Sequence, residues 1–251
     1  MPTNSEEMSG SHNQLRALGA GLILAIGAYG VGQIVVLVTA AIFMVAGINI
    51  RSQPSLLLGV SVVMLQGVTF GGVALAYLSY KDLGLEFIHA RLPSLRDIGL
   101  TIGGFGALLG ALWSISMVIS ALGLQSAQNT IVDIGSRNPV VFLLLIPLSF
   151  LLIGPGEELL YRGLIQGILR ETFHPARAIV LASALFAVVH VFSLRGEGKL
   201  VYLGVVFVLA LILGGLYEYT DNLVVPALVH GGYNATLFGI QYLTATGGLP
   251  T

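Results

Sequence analysis

Long apolar stretches alternate with short polar breaks along this chain, at intervals that suit helices crossing a membrane. The first stretch, Ala17 to Ile48, is interrupted only by Gln33, Thr39 and scattered glycine. At 1.5 Å of rise per residue it outruns a hydrocarbon core of about 30 Å, so it must tilt, kink or leave the bilayer. Arg51 and Pro54 separate it from a second run, Ser55 to Tyr80. Lys81 to Arg96 differs in texture, mixing Leu85, Phe87, Ile88 and Leu92 with Lys81, Glu86, Arg91 and Arg96. That mixture suits an amphipathic segment lying at the membrane interface, with a solvated loop as the alternative. A third run spans Asp97 to Leu124, and a polar loop leads to Asn138-Pro139. A fourth run exits at Arg170, a fifth covers Arg177 to Leu194, and a sixth Leu200 to Tyr219. After the turn at Asp221-Asn222, a seventh run covers Leu223 to Leu243.

The pattern predicts an all-α, polytopic transmembrane bundle of about seven helices. It forms one membrane domain, residues 17–243, between a disordered tail at 1–16 and a C-terminal tail at 244–251. No internal repeat or low-complexity tract divides it. The first sixteen residues are polar and contain two acids, unlike the basic start of a signal peptide. Arg16, Lys81, Arg91, Arg96, Arg170 and Arg177 fall on one side of this arrangement, and Arg51, Arg137, Arg195 and Lys199 on the other. The excess favours a cytoplasmic N-terminus.

Composition supports the membrane reading. Charged residues make up 9% of the chain and hydrophobic residues 55%, against about 25% charged in soluble domains. Thirty-three glycines suit close helix packing in a bilayer. A net charge of −1 leaves no basic footprint for nucleic acid. With no cysteine, thiolate nucleophiles, thiolate metal sites and disulfides are all excluded.

Against this background the fourth run contains Gly154-Pro155-Gly156-Glu157-Glu158-Leu159-Leu160-Tyr161-Arg162. A charge at bilayer depth costs at least ~2.5–3.5 kcal/mol and needs a partner. On a helix Glu158 and Arg162 are i,i+4 neighbours with the acid first, the favourable order. Glu157 points about 100° away and cannot share that partner equally. The spacing predicts a supporting ion pair, Glu158–Arg162, and a carboxylate at Glu157 left for chemistry. The proline and its flanking glycines either kink the helix or widen a wet cavity beside Glu157.

Few other ionisable groups lie deep in the runs: His190 in the fifth, and His230, with Asn234 one turn on, in the seventh. Measured by helix rise from ends on the same side, Glu157 and His190 lie roughly 20 Å deep, His230 roughly 12 Å and Asn234 roughly 18 Å. Four polar residues from three helices can thus converge. Taken singly, each has an ordinary explanation: a membrane histidine bonding a backbone carbonyl, an asparagine bridging helices. Phe186 reads as packing one turn below His190. Together the four suggest hydrolysis by water. Glu157 would be the general base, and His190 would hold the same water or protonate the leaving amine. His230 and Asn234 would donate to the developing oxyanion. Ser149 and Ser183 have no base at helical spacing.

Glu157-Glu158-x-x-x-Arg162, Phe186-x-x-x-His190 and His230-x-x-x-Asn234, in this order on successive apolar helices, resemble the CPBP family of intramembrane proteases. That family includes the type II CAAX prenyl endopeptidase, the Ras-converting enzyme, and bacteriocin-processing or immunity relatives. The resemblance covers residues 139–243, making them a CPBP-like catalytic core. It implies that Glu157 and His190 activate the water, that His230 and Asn234 form the oxyanion hole, and that Glu158–Arg162 is supporting. It also implies a peptide substrate at the membrane, prenylated where the processing is of the CAAX type, cut near the cytoplasmic face. The family has often been labelled metalloprotease, and Glu157, His190 and His230 could make a His₂Glu zinc site. The HExxH arrangement is absent, so the expectation is glutamate-dependent hydrolysis without a cofactor. Two other functions compete: a catalytically silent scaffold or immunity-type protein, and an ion-coupled transporter. Packing would not need all four polar residues, and residues 1–130 hold no second EExxxR segment of the kind a transporter's related halves would show.

Overall fold

A computed structural model describes residues 4–249, with side chains from Gly10 onward. Eight helices account for nearly all of it: α1 (Asn4–Val45), α2 (Pro54–Tyr80), α3 (Leu95–Ala121), α4 (Thr130–Arg137), α5 (Val140–Arg170), α6 (Pro175–Val189), α7 (Lys199–Thr220) and α8 (Val224–Ala245). All but α4 correspond to the seven apolar runs. Six of them are long and apolar enough to cross a membrane. α8 has the length, but His230, Asn234, Thr236 and Gln241 dilute its apolar character. The protein is an integral membrane protein built as an all-α bundle.

Its surface is inverted relative to a soluble domain. Ile23, Ile34, Leu37, Ile102, Trp113 and Leu151 are exposed, while Glu158, Arg162, Gln166 and Ser149 are fully buried. α5 runs through the centre. Its first half packs on α2 through Val141, Leu145 and Val62, and its second half on α1 and α6 through Leu160, Leu164, Ile165 and Leu169. α3, α7 and α8 form a third cluster around Leu108, Leu209, Leu213 and Val229. The second half of α5 is enclosed on all sides, Leu160 to Gln166 being buried without a break.

Two local expectations are corrected, and a third gains detail. The polar stretch expected as a disordered tail is helical from Asn4, continuous with α1; residues 1–3 lie outside the described part. Extending a helix already nucleated adds a hydrogen bond per residue fixed, and no proline intervenes. The loop expected before Pro139 contains α4. Asn129 caps it, its Oδ1 accepting from the Ile131 amide at 2.9 Å, and Ile131 and Ile134 pack on the core. Lys81 to Arg96 forms only one 3₁₀ turn, Leu85–Ile88, and it docks on protein. Phe87 and Ile88 seat against Gly167 and Gly163 of α5, where a Cβ would come within 2.9 and 3.3 Å of them.

That segment also clasps the α7–α8 turn. Ser94 and Asp97 form a capping box on α3, and Arg91 pairs with Asp97 at 2.6 Å while donating to the Thr220 carbonyl at 3.0 Å. Asn222 is fully buried beneath it, and the Leu223 amide donates to the His89 carbonyl at 3.0 Å. On the opposite face, Gln128-Asn129 pairs antiparallel with Leu194-Arg195. The helix ends therefore sort into two faces, 81–94, 171–174 and 221–223 on one, 125–130 and 194–198 on the other. Cysteines introduced at Glu171 and Asp221 are expected to react with an impermeant reagent from one side, and those at Gln128 and Arg195 from the other. The chain has no native cysteine to interfere. Labelling of 171 and 221 from opposite sides would contradict the arrangement, and the same experiment reads whether the N-terminus is cytoplasmic.

Candidate active site

Glu157 and Glu158 lie in a short α-helical turn, Gly154–Glu158, between two wider i→i+5 stretches of α5, Ser149–Ile153 and Leu159–Gln166. Such stretches are uncommon and recur at functional sites. The flanking glycines let three backbones meet. A Cβ on Gly154 would lie 2.6 Å from the Ala227 carbonyl oxygen of α8. One on Gly156 would overlap the Gln66 carbonyl of α2. Gly231 of α8 returns the contact, its absent Cβ 2.8 Å from the Ser149 carbonyl oxygen.

The i,i+4 pair read from the sequence is present. Glu158 Oε2 lies 3.2 Å from Arg162 Nε, with both side chains sealed from solvent. The guanidinium also donates to the Ala210 carbonyl at 3.1 Å and lies 4.8 Å over the Phe186 ring. Glu158 has a second partner that spacing did not reveal: its Oε1 accepts from His230 Nδ1 at 2.8 Å. A carboxylate paired to arginine can only accept, so the His230 ring carries its proton on Nδ1 there. Nε2 then faces Glu157 Oε2 at 3.8 Å. Glu157 is less enclosed, its side chain 14% exposed against 0% for Glu158. The two adjacent carboxylates thus occupy different surroundings, in the direction their helical phase implies.

His190 opens the 3₁₀ turn His190–Ser193 at the end of α6. Its Nδ1 donates to the Phe186 carbonyl at 2.8 Å, the ordinary bond of a membrane histidine, which leaves Nε2 as the free position. Phe186 does more than pack below it. Its ring lies 4.7 Å from His190, 5.9 Å from His230 and 4.9 Å from Tyr161, so it joins the imidazoles to the guanidinium. Asn234 is partly buried one turn beyond His230, and its side chain makes no hydrogen bond among the described residues. The structure therefore brings Glu157, Glu158, Arg162 and His230 into one cluster, joins His190 to it through Phe186, and leaves Asn234 beside it. Ser149 spends its hydroxyl on the Leu145 carbonyl at 2.7 Å. Among the described residues no three His, Asp or Glu side chains are grouped to hold a metal ion, and that includes Glu157, His190 and His230.

The residue the sequence reading missed is Gln66 of α2, whose Nε2 donates to Glu157 Oε1 at 3.4 Å. The available signal was a lone amide in the run from Ser55 to Tyr80, with no spacing to tie it to the fourth run. An open apolar groove of about 460 Å³ between α3, α5 and α8, lined by Ile102, Phe105, Phe150, Leu228, Gly232 and Ala235 among others, lies on the face of α8 turned away from His230.

Multi-pass architecture and a buried carboxylate–imidazole cluster together define a membrane-embedded protein with an ionisable site in its interior. Residues 139–236 match the Rce1-like family model, type II CAAX prenyl endopeptidase Rce1-like. That match bears out the family resemblance read from the three motifs. No curated protein and no solved structure matches the chain.

Proposed function

We propose that this protein hydrolyses a peptide bond of a membrane-associated substrate with a water activated by Glu157, without a metal. The observation that carries the reading is the 3.8 Å approach of Glu157 Oε2 to His230 Nε2. With the Nδ1 proton committed to Glu158, both facing atoms are acceptors, and two acceptors at that distance require a donor between them. A water in that position would have one hydrogen for each and its oxygen lone pair free for a carbonyl carbon. As it attacks, its proton passes to Glu157 and the carbonyl oxygen becomes an oxyanion. Asn234 is the amide donor beside the cluster for that oxyanion, joined by His230 Nε2 whenever it carries a proton. Collapse breaks the C–N bond, and the proton that Glu157 took from the water completes the leaving amine.

The match of residues 139–236 to a type II CAAX prenyl endopeptidase family supports CAAX-like C-terminal processing of a prenylated protein near the cytoplasmic face. The deciding assay offers purified protein quenched peptides with and without a lipid chain, before and after dialysis against a strong chelator. Turnover that survives chelation, with well under one zinc per chain by elemental analysis, is the expected result. Activity that vanishes with chelator and returns with stoichiometric zinc would move His230 and His190 into a coordination shell.

A further inference from the structure

We propose that Gln66 is a positioning residue for Glu157, supplied to the site by the half of the chain outside the family-matched segment. The proposal rests on the reading of Glu157 as the base. Gln66 sits in the i→i+5 stretch Val63–Phe70 of α2, and its Nε2 donates to Glu157 Oε1 at 3.4 Å. Its orientation is fixed by chemistry: a flipped amide would set a carbonyl oxygen against a carboxylate, two acceptors facing each other. With Oε1 of Glu157 held from α2, Oε2 is the oxygen turned to His230. A glutamate side chain has three torsions, and without a second tether nothing in its own helix selects that rotamer.

Two further observations point the same way. Gln66 Oε1 is buried and has no partner among the described residues, an acceptor that bound water or a substrate N–H can satisfy. A buried unpaired amide oxygen is costly in a protein that uses the residue only to hold helices together. The approach is also built for: Gly156, immediately before Glu157, is the position where a Cβ would overlap the Gln66 carbonyl. The backbone of α2 is thus brought against α5 at the one turn where its amide can reach the base.

The test compares Gln66→Met, which keeps length and apolar packing, with wild type on a quenched peptide. Positioning predicts that kcat falls about tenfold or more while KM stays within about twofold, because a misplaced base loses transition-state stabilisation and little substrate binding. Gln66→Glu, which sets carboxylate against carboxylate, should fall further. A kcat within twofold of wild type for Gln66→Met would overturn the proposal, as would a loss confined to KM. Thermal melts in detergent supply a readout that does not need turnover. In a cycle of Gln66→Met, Glu157→Gln and the double variant, the shifts should be non-additive, whereas additive shifts would show the two side chains uncoupled. If wild type cleaves no peptide offered, the hydrolytic reading fails by itself. The melting cycle then still decides whether Gln66 holds Glu157.

Discussion

Glu157→Gln should abolish peptide hydrolysis, by at least about 10²–10⁴-fold, while leaving the melting temperature near that of wild type. The amide keeps the shape of the side chain and loses only the base. Glu157 is the more exposed of the two carboxylates, and its nearest cation-capable partner is 3.8 Å away. Glu158→Gln should behave in the opposite way. Glu158 is sealed between Arg162 at 3.2 Å and His230 at 2.8 Å, so its neutral replacement strands a buried guanidinium. Removing one partner of a buried pair costs about 3–5 kcal/mol. Turnover measurements and melts of both variants in detergent check this. A Glu157→Gln protein less stable than Glu158→Gln would reverse the assignment.

Gly156→Ala is the second substitution with a large expected effect. A single added methyl meets the Gln66 backbone carbonyl, which cannot swing aside as a side-chain end could. Overpacking of this kind costs about 1–3 kcal/mol, and a clash with backbone belongs at the top of that range. Because α2 must retreat to relieve it, the Gln66–Glu157 contact should be lost as well. The expected result is a lower melting temperature with turnover depressed beyond what the fraction unfolded explains. Gly215→Ala on α7, where a Cβ meets nothing within 4 Å, is the matched control and should change neither.

What could be read in the sequence divides by distance along the chain. The seven long helices follow from hydrophobic runs, since backbone groups in a bilayer must be satisfied within the helix itself. Glu158–Arg162 was legible because it is an i,i+4 pair on one helix. His230–Glu158 and Gln66–Glu157 were not, being separated by 72 and 91 residues and fixed only by how three helices cross. The glycines around Pro155 were noticed, but their purpose depends on which backbones they face. α4 and the docked 81–94 segment escaped because polar texture alone does not separate a capped short helix or a clasp from a loop. Metal dependence and the choice of substrate are questions of chemistry that the chain's pattern does not answer.

The wide turns of α5 also set how this helix responds to changes in its length. Each carries residues at fewer than the usual 100° apart, so the upstream and downstream halves are out of the phase a regular helix would give them. Delete one residue between Ser149 and Ile153 and that stretch can relax to ordinary α geometry. The residue removed is the extra one that the wide turn accommodates, so the halves of α5 would keep nearly their relative phase and Glu157 and Glu158 their aim at Gln66 and His230. The same nine residues transplanted onto a uniform helix would carry the letters of the motif and aim them elsewhere. Substitution in the lipid-facing positions of this helix, such as Leu151, is a mild change by comparison.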